Sequence, residues 1–120
     1  MKTIAVSANG NKLEAKVGPL FGRARFFIIV DPDTLEWDAW DNLGNLSAAQ
    51  GIGVMTANRL VRHNIRTVLT GSCGPKAFQE LQAAGIEVFL NTQGTVRQAL
   101  ASLKEGKLTR ASGTNVSVSY

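Results

Sequence analysis

The chain has 120 residues, with 13 basic against 9 acidic side chains, one cysteine, one histidine and a formal net charge of +4. That length fits one domain with a core of its own. The lone cysteine excludes an internal disulfide, and the ligand inventory excludes a closed zinc site or a four-cysteine iron–sulfur site. No apolar run is long enough to span a bilayer, and the mild basic bias favours anionic partners while falling short of a nucleic-acid binder.

Lys2 to Ala8 reads as a central strand, apolar and β-branched at Thr3, Ile4 and Val6. Asn9-Gly10-Asn11 is a turn, and Lys12 to Leu20 an ordered loop or short edge piece closed by Gly18-Pro19. Arg25 to Asp31 carries the strongest strand signal. Asp31-Pro32-Asp33-Thr34 is a type I turn signature leading into the alternating Leu35 to Asp41, which completes a hairpin. Trp37 and Trp40 lie an odd number of positions apart, so they face opposite sides of that strand.

Asn42 to Leu46 reads as a loop. Ser47-Ala48-Ala49-Gln50 is a capping box opening a helix to about Asn64, with Ile52, Met55, Thr56 and Leu60 on its inner stripe. Gly51 and Gly53 cost helix propensity and predict a close approach to the sheet or a ligand. Arg66 to Thr70 is the next strand. Pro75 to Ala84 is a helix with Phe78 and Leu81 inward, stopped by Gly85; Ile86 to Leu90 is a strand. Thr95 to Glu105 is a helix with Val96, Ala99, Leu100 and Leu103 inward, closed by Gly106. The Ser-, Thr- and Gly-rich stretch 109–120 reads as a flexible C-terminal tail, leaving a single domain over 1–108. Strand–helix alternation in the second half implies parallel strands with right-handed crossovers. The fold expected is α/β, a mixed five-stranded sheet flanked by helices.

In such a sheet ligands bind outside the carboxyl ends of the parallel strands. Those ends gather Ser7 and Asn9, the turn Gly71-Ser72-Cys73-Gly74-Pro75-Lys76, and Thr92. The antiparallel strand adds its beginning, Gly22, Arg23 and Arg25. The turn before Pro75 sits between a strand and a helix, where unpaired amides and the helix dipole favour an anion. Gly71 and Gly74 let the backbone approach a ligand, Lys76 adds charge, and Cys73 is expected to lean toward thiolate. Arg23 and Arg25 alternate around Ala24 and would share a face if strand pleating begins there. His63 falls at the opposite end of the sheet and reads as a helix-end histidine favoured by the dipole.

Phe21-Gly22-Arg23-Ala24 before an aromatic-rich strand, Gly51-Ile52-Gly53 opening a helix, Gly71-x-x-Gly74-Pro75-x-Ala77, Ala84-Gly85-Ile86-x-Val88 and Gly94-Thr95-Val96-x-x-Ala99 together resemble the dinitrogenase iron–molybdenum cofactor biosynthesis family. The resemblance runs roughly from Met1 to Leu108. It implies a three-layer ribonuclease-H-like fold and a non-catalytic role in binding or carrying metal–sulfur clusters. The chain is most similar to small single-domain members that hold a molybdenum–copper sulfide cluster without ordinary cysteine ligation. Cofactor-carrying members that place a histidine near the start of the first helix differ from this chain, which has Ala49-Gln50 there. The fold brings no nuclease chemistry, since Thr3 to Ala8 contains none of the carboxylates that would hold two magnesium ions.

The resulting expectation is a cytoplasmic, monomeric carrier of an anionic molybdenum–copper sulfide cluster, held non-covalently by Ser7, Asn9, Gly22, Arg23, Arg25, Gly71, Ser72, Cys73, Gly74, Lys76 and Thr92. Cys73 is its candidate copper contact. A recipient or regulatory protein is a further expected partner, and neither nucleic acid nor membrane is. Two alternatives stand beside it. One is an enzyme using Cys73 on phosphate- or arsenate-type esters. The other is a regulatory interaction domain presenting Trp40 or the basic first helix.

Overall fold

Alternation along the first strand feeds two separate cores. In the computed structural model, which describes residues 1–42 and 52–115, Ile4, Val6 and Ala8 enter one apolar cluster and Ala5 the other. The elements run β1 (Ile4–Ala8), a short 3-10 turn (Phe21–Arg23), β2 (Phe26–Val30), β3 (Trp37–Asp41), α1 (Ile52–Arg62), β4 (Thr67–Leu69), α2 (Pro75–Ala83), β5 (Glu87–Phe89) and α3 (Val96–Lys104). The strands form one sheet in the order β3-β2-β1-β4-β5. β2 is antiparallel to β1 and β3, while β1, β4 and β5 are parallel. The mixed five-stranded α/β sheet expected from the sequence is therefore present.

Each face of the sheet is covered. Ala57 and Leu60 of α1 and Ala77, Phe78 and Leu81 of α2 pack with Phe27, Ile29, Val68 and Val88 on one side. Val96, Ala99, Leu100 and Leu103 of α3 pack with Ile28, Val30 and Leu69 on the other. Thr95 caps α3 through its hydroxyl and Gln98 completes the capping box, while Gly85 and Gly106 take the left-handed conformation that ends α2 and α3.

Three details differ from the sequence reading. Met55 is 44% exposed, because Thr56, Ala57 and Leu60 fill the inner side of α1. Gly53 serves helix packing, since a Cβ there would lie 3.2 Å from the Ala77 Cβ of α2. The hairpin loop closes one residue later than a type I turn: the Leu35 amide donates to the Asp31 carbonyl at 2.9 Å, and Leu35 takes φ +64°. The expected Ser47–Gln50 capping box, Gly51 and the side chain of Ile52 lie outside the described residues.

Described residues of the C-terminal stretch fold back along β5. Arg110 bridges to Phe89, and the Ala111 amide donates to the Val88 carbonyl at 2.8 Å.

Candidate functional site

The carboxyl ends of β1, β4 and β5 and the beginning of β2 form one rim, because Ala8 pairs with Phe26 and Val6 with Leu69, which pairs with Phe89. Two backbone bonds draw the segment before β2 across this rim. The Ser72 amide donates to the Pro19 carbonyl at 2.7 Å, and the Phe21 amide donates to the Ser72 carbonyl at 2.8 Å. The segment carrying Arg23 and the turn carrying Cys73 are thereby stitched together on one side of the molecule.

Gly71 is required by that stitch. A Cβ there would sit 2.5 Å from the Pro19 carbonyl oxygen, so this glycine admits neighbouring backbone where the sequence suggested a ligand. Gly74 is different: a Cβ would meet nothing within 4 Å among the described residues. Gly74 offers no side chain to cap α2 and Pro75 occupies its first position. The amides of Lys76 and Ala77 thus have no carbonyl partner within the helix. A depression of about 360 Å³ lies beside this turn, lined by Lys16, Pro19, Gly71, Ser72, Asn91, Thr92 and Gly94 among others.

Arg23 and Lys76 are exposed and make no ion pair among the described residues. Arg25 is exposed too, but its Nη2 lies 3.6 Å from Asp41 Oδ2 and its guanidinium rests 5.0 Å from the centre of the Phe26 ring. The two arginines do not form a pleated pair, because residues 21–23 are a 3-10 turn and the strand starts only at Phe26. Gly22 lies in that turn, half-buried, and Asn9 is exposed on the rim, its amide donating to the Lys16 carbonyl at 2.9 Å.

Ser7 and Thr92 are buried, and their hydroxyls are already engaged. Ser7 Oγ lies 2.9 Å from the Gly18 carbonyl and 2.7 Å from Thr70 Oγ1; Thr92 Oγ1 donates to the Phe89 carbonyl at 3.2 Å. These bonds hold the rim loops in place.

The thiolate expected at Cys73 is not met. Its side chain is 1% exposed among the apolar residues beneath α1 and α2, and burial pushes the thiol from its ordinary value of 9.0 up to about 12. Desolvation of the anion outweighs the helix dipole here. Among the described residues, no three His, Cys, Asp or Glu side chains converge to hold a metal ion.

Four residues escaped the sequence reading. Asn42, 1% exposed, donates its amide to the Arg25 carbonyl at 2.8 Å and its side chain to the Ala24 carbonyl at 2.9 Å, fixing the start of β2. Lys16 reaches the depression from a loop that bore no motif. Asn115 and Thr114, inside the presumed tail, bond directly to the turn: Asn115 Oδ1 accepts from the Cys73 amide at 3.2 Å, and Thr114 donates to the Cys73 carbonyl. A Ser-, Thr- and Gly-rich stretch has no periodicity that could have announced this.

His63 sits at the C-terminal end of α1, its ring 4.6 Å from that of Trp40, with Arg59 stacked 4.7 Å over the same indole. Trp40 is therefore a covered aromatic. Trp37 lines the larger groove of about 690 Å³ with Leu35, Leu100 and Leu103. That groove lies at the hairpin turn, away from the polar donors of the rim. No helix among the described residues is long and apolar enough to cross a membrane.

Comparison with known proteins agrees with this architecture. Residues 1–106 match the family model described as dinitrogenase iron-molybdenum cofactor. The structure of the apo form of the orange protein from Desulfovibrio gigas superposes with a TM-score of 0.93 at 41% identity, covering 97% of this chain and 98% of that one. A candidate NifB protein from Thermotoga superposes with a TM-score of 0.79 at 30% identity over 92% of this chain and 93% of its own. An uncharacterized Methanocaldococcus jannaschii protein is 25% identical over 107 residues, 88% of this chain and 87% of that protein.

Proposed function

This chain belongs to the dinitrogenase iron–molybdenum cofactor family, and from that premise we propose that it is a non-catalytic carrier of an anionic molybdenum–copper sulfide cluster. The observation carrying the proposal is the turn Gly71–Lys76, stitched to the Arg23 segment and leading into α2, whose Lys76 and Ala77 amides have no carbonyl partner within the helix. Main-chain donors and the dipole supply a fixed positive potential, and Arg23, Lys76 and Lys16 add mobile charge around it. Such a donor set suits a large, diffuse, sulfur-rich anion, whose many acceptor atoms can be met by amides and guanidinium forks.

Retention is non-covalent in this reading. Cys73, 1% exposed within the apolar cluster beneath α1 and α2, presents no sulfur to a guest on the rim surface. The same burial weakens the Cys73 enzyme alternative, whose nucleophile would need to be ionised and exposed. The likeness to the D. gigas orange protein supports a small single-domain member of this type.

The test is reconstitution. Apoprotein is mixed with tetrathiomolybdate and copper, then passed through a desalting column. Visible absorption, molybdenum and copper co-eluting with the protein are expected. Absorption that elutes entirely with small molecules overturns the proposal.

A further inference from the structure

We propose that Asn115 is the gatekeeper of the anion site, its carboxamide standing in for the guest until the guest displaces it. The inference rests on the reading of the rim as an anion site.

The carboxamide spans three groups at once. Its Oδ1 accepts from the Cys73 amide at 3.2 Å, while its Nδ2 donates to the Gly71 carbonyl at 2.9 Å and to Asn91 Oδ1 at 3.1 Å. The Cys73 amide lies in the turn where an incoming anion would need donors, and Asn115 covers it with a neutral acceptor. Asn91 is itself held at φ +57°, its amide donating to the Gly71 carbonyl at 2.8 Å, so the ends of β4 and β5 are locked under the same side chain.

The segment bearing Asn115 is fastened by individual contacts, with no helix or strand of its own among the described residues. Its anchors include the Ala111 amide on Val88, the Arg110 bridge to Phe89, the Arg110 guanidinium 3.4 Å from Glu87 Oε2, and the Thr114 hydroxyl on the Cys73 carbonyl. Arg110 and Asn115 are exposed, and exposed bonds of this kind are individually weak. A charge-assisted bond from the Cys73 amide to an anion is stronger than its bond to a neutral carboxamide. A guest large enough to meet the turn amides and the basic side chains together can therefore replace Asn115, whereas a small anion meets too few of them to do so. Asn115 thereby sets a threshold of size for entry.

The experiment uses full-length wild type and Asn115→Ala, with tetrathiomolybdate plus copper as one probe and inorganic phosphate as a smaller anion. The Cys73 amide should exchange with deuterium faster in the free variant than in free wild type. The variant should bind the metal–sulfide probe about three- to tenfold more tightly. It should also bind phosphate measurably where wild type does not. If wild type binds the metal–sulfide probe and Asn115→Ala matches it in affinity and in phosphate discrimination, the gatekeeper is overturned and the site stands. Unchanged Cys73 amide exchange overturns it too. If neither protein binds either probe, the site reading falls and the gatekeeper falls with it.

Discussion

The Phe21 amide donates to the Ser72 carbonyl at 2.8 Å, although the two residues are remote in sequence. That bond, with its neighbour from the Ser72 amide to Pro19, places a cationic segment and an amide-bearing turn on one rim. Had the Arg23 segment lain on the far side of the sheet, no shared cradle would exist.

Gly71→Ala tests that stitch. The added Cβ meets the Pro19 carbonyl oxygen at 2.5 Å, and that partner is backbone, so one segment must shift. A loss of about 1–3 kcal/mol in unfolding free energy is expected. Chemical denaturation measures it, and anion binding should weaken in parallel. Gly74→Ala, whose added Cβ meets nothing within 4 Å among the described residues, should be nearly neutral for stability.

The arginines should separate. Arg25 is engaged by Asp41, whereas Arg23 makes no ion pair among the described residues. Arg23→Ala is expected to weaken binding of the metal–sulfide probe by about three- to tenfold, and Arg25→Ala by less. Titration followed by visible absorption compares them, and the Arg23 effect should shrink at high salt.

Much of the fold was readable because long-period signals dominate it. The Ile4–Ala8 and Phe26–Val30 runs and the stops at Gly85 and Gly106 each carry their own local instruction. The rim itself followed from topology once the parallel strands were placed. What could not be read depends on contacts between distant segments. The burial of Cys73 comes from the helices packed over it, and no local pattern distinguishes an exposed turn thiol from a covered one. Gly71 and Gly74 look alike in sequence, yet one accommodates Pro19 and the other touches nothing among the described residues at its Cβ position. Asn115 was hidden for the same reason, since its partners lie more than twenty residues away.

Ser7 should prove structural. Its buried hydroxyl joins the Gly18 carbonyl and Thr70 Oγ1, so Ser7→Ala leaves polar atoms buried with one partner fewer. A destabilisation of about 1–3 kcal/mol is expected. Binding of the probe by the folded variant should be unchanged, which separates a scaffold role from contact with the guest.

Cys73 predicts a pH dependence. Its folded thiol is raised from 9.0 to about 12, so the fold favours the protonated form. The contribution is fully present below pH 9 and is lost as pH rises from about 9 toward 12, because the unfolded chain releases its proton first. Denaturation curves between pH 8 and 11 should show a steeper alkaline loss for wild type than for Cys73→Ala. Cys73→Ala should still retain the metal–sulfide probe.

Amide chemical-shift mapping of the full chain during addition of tetrathiomolybdate and copper addresses the cradle most directly. The largest changes should fall on the amides of Gly71 to Ala77, with a second group in residues 19–23 and a third at Asn91 to Gly94. Changes concentrated instead around Trp40 and His63, or along the groove at Leu35 and Leu103, would contradict an anion site on this rim.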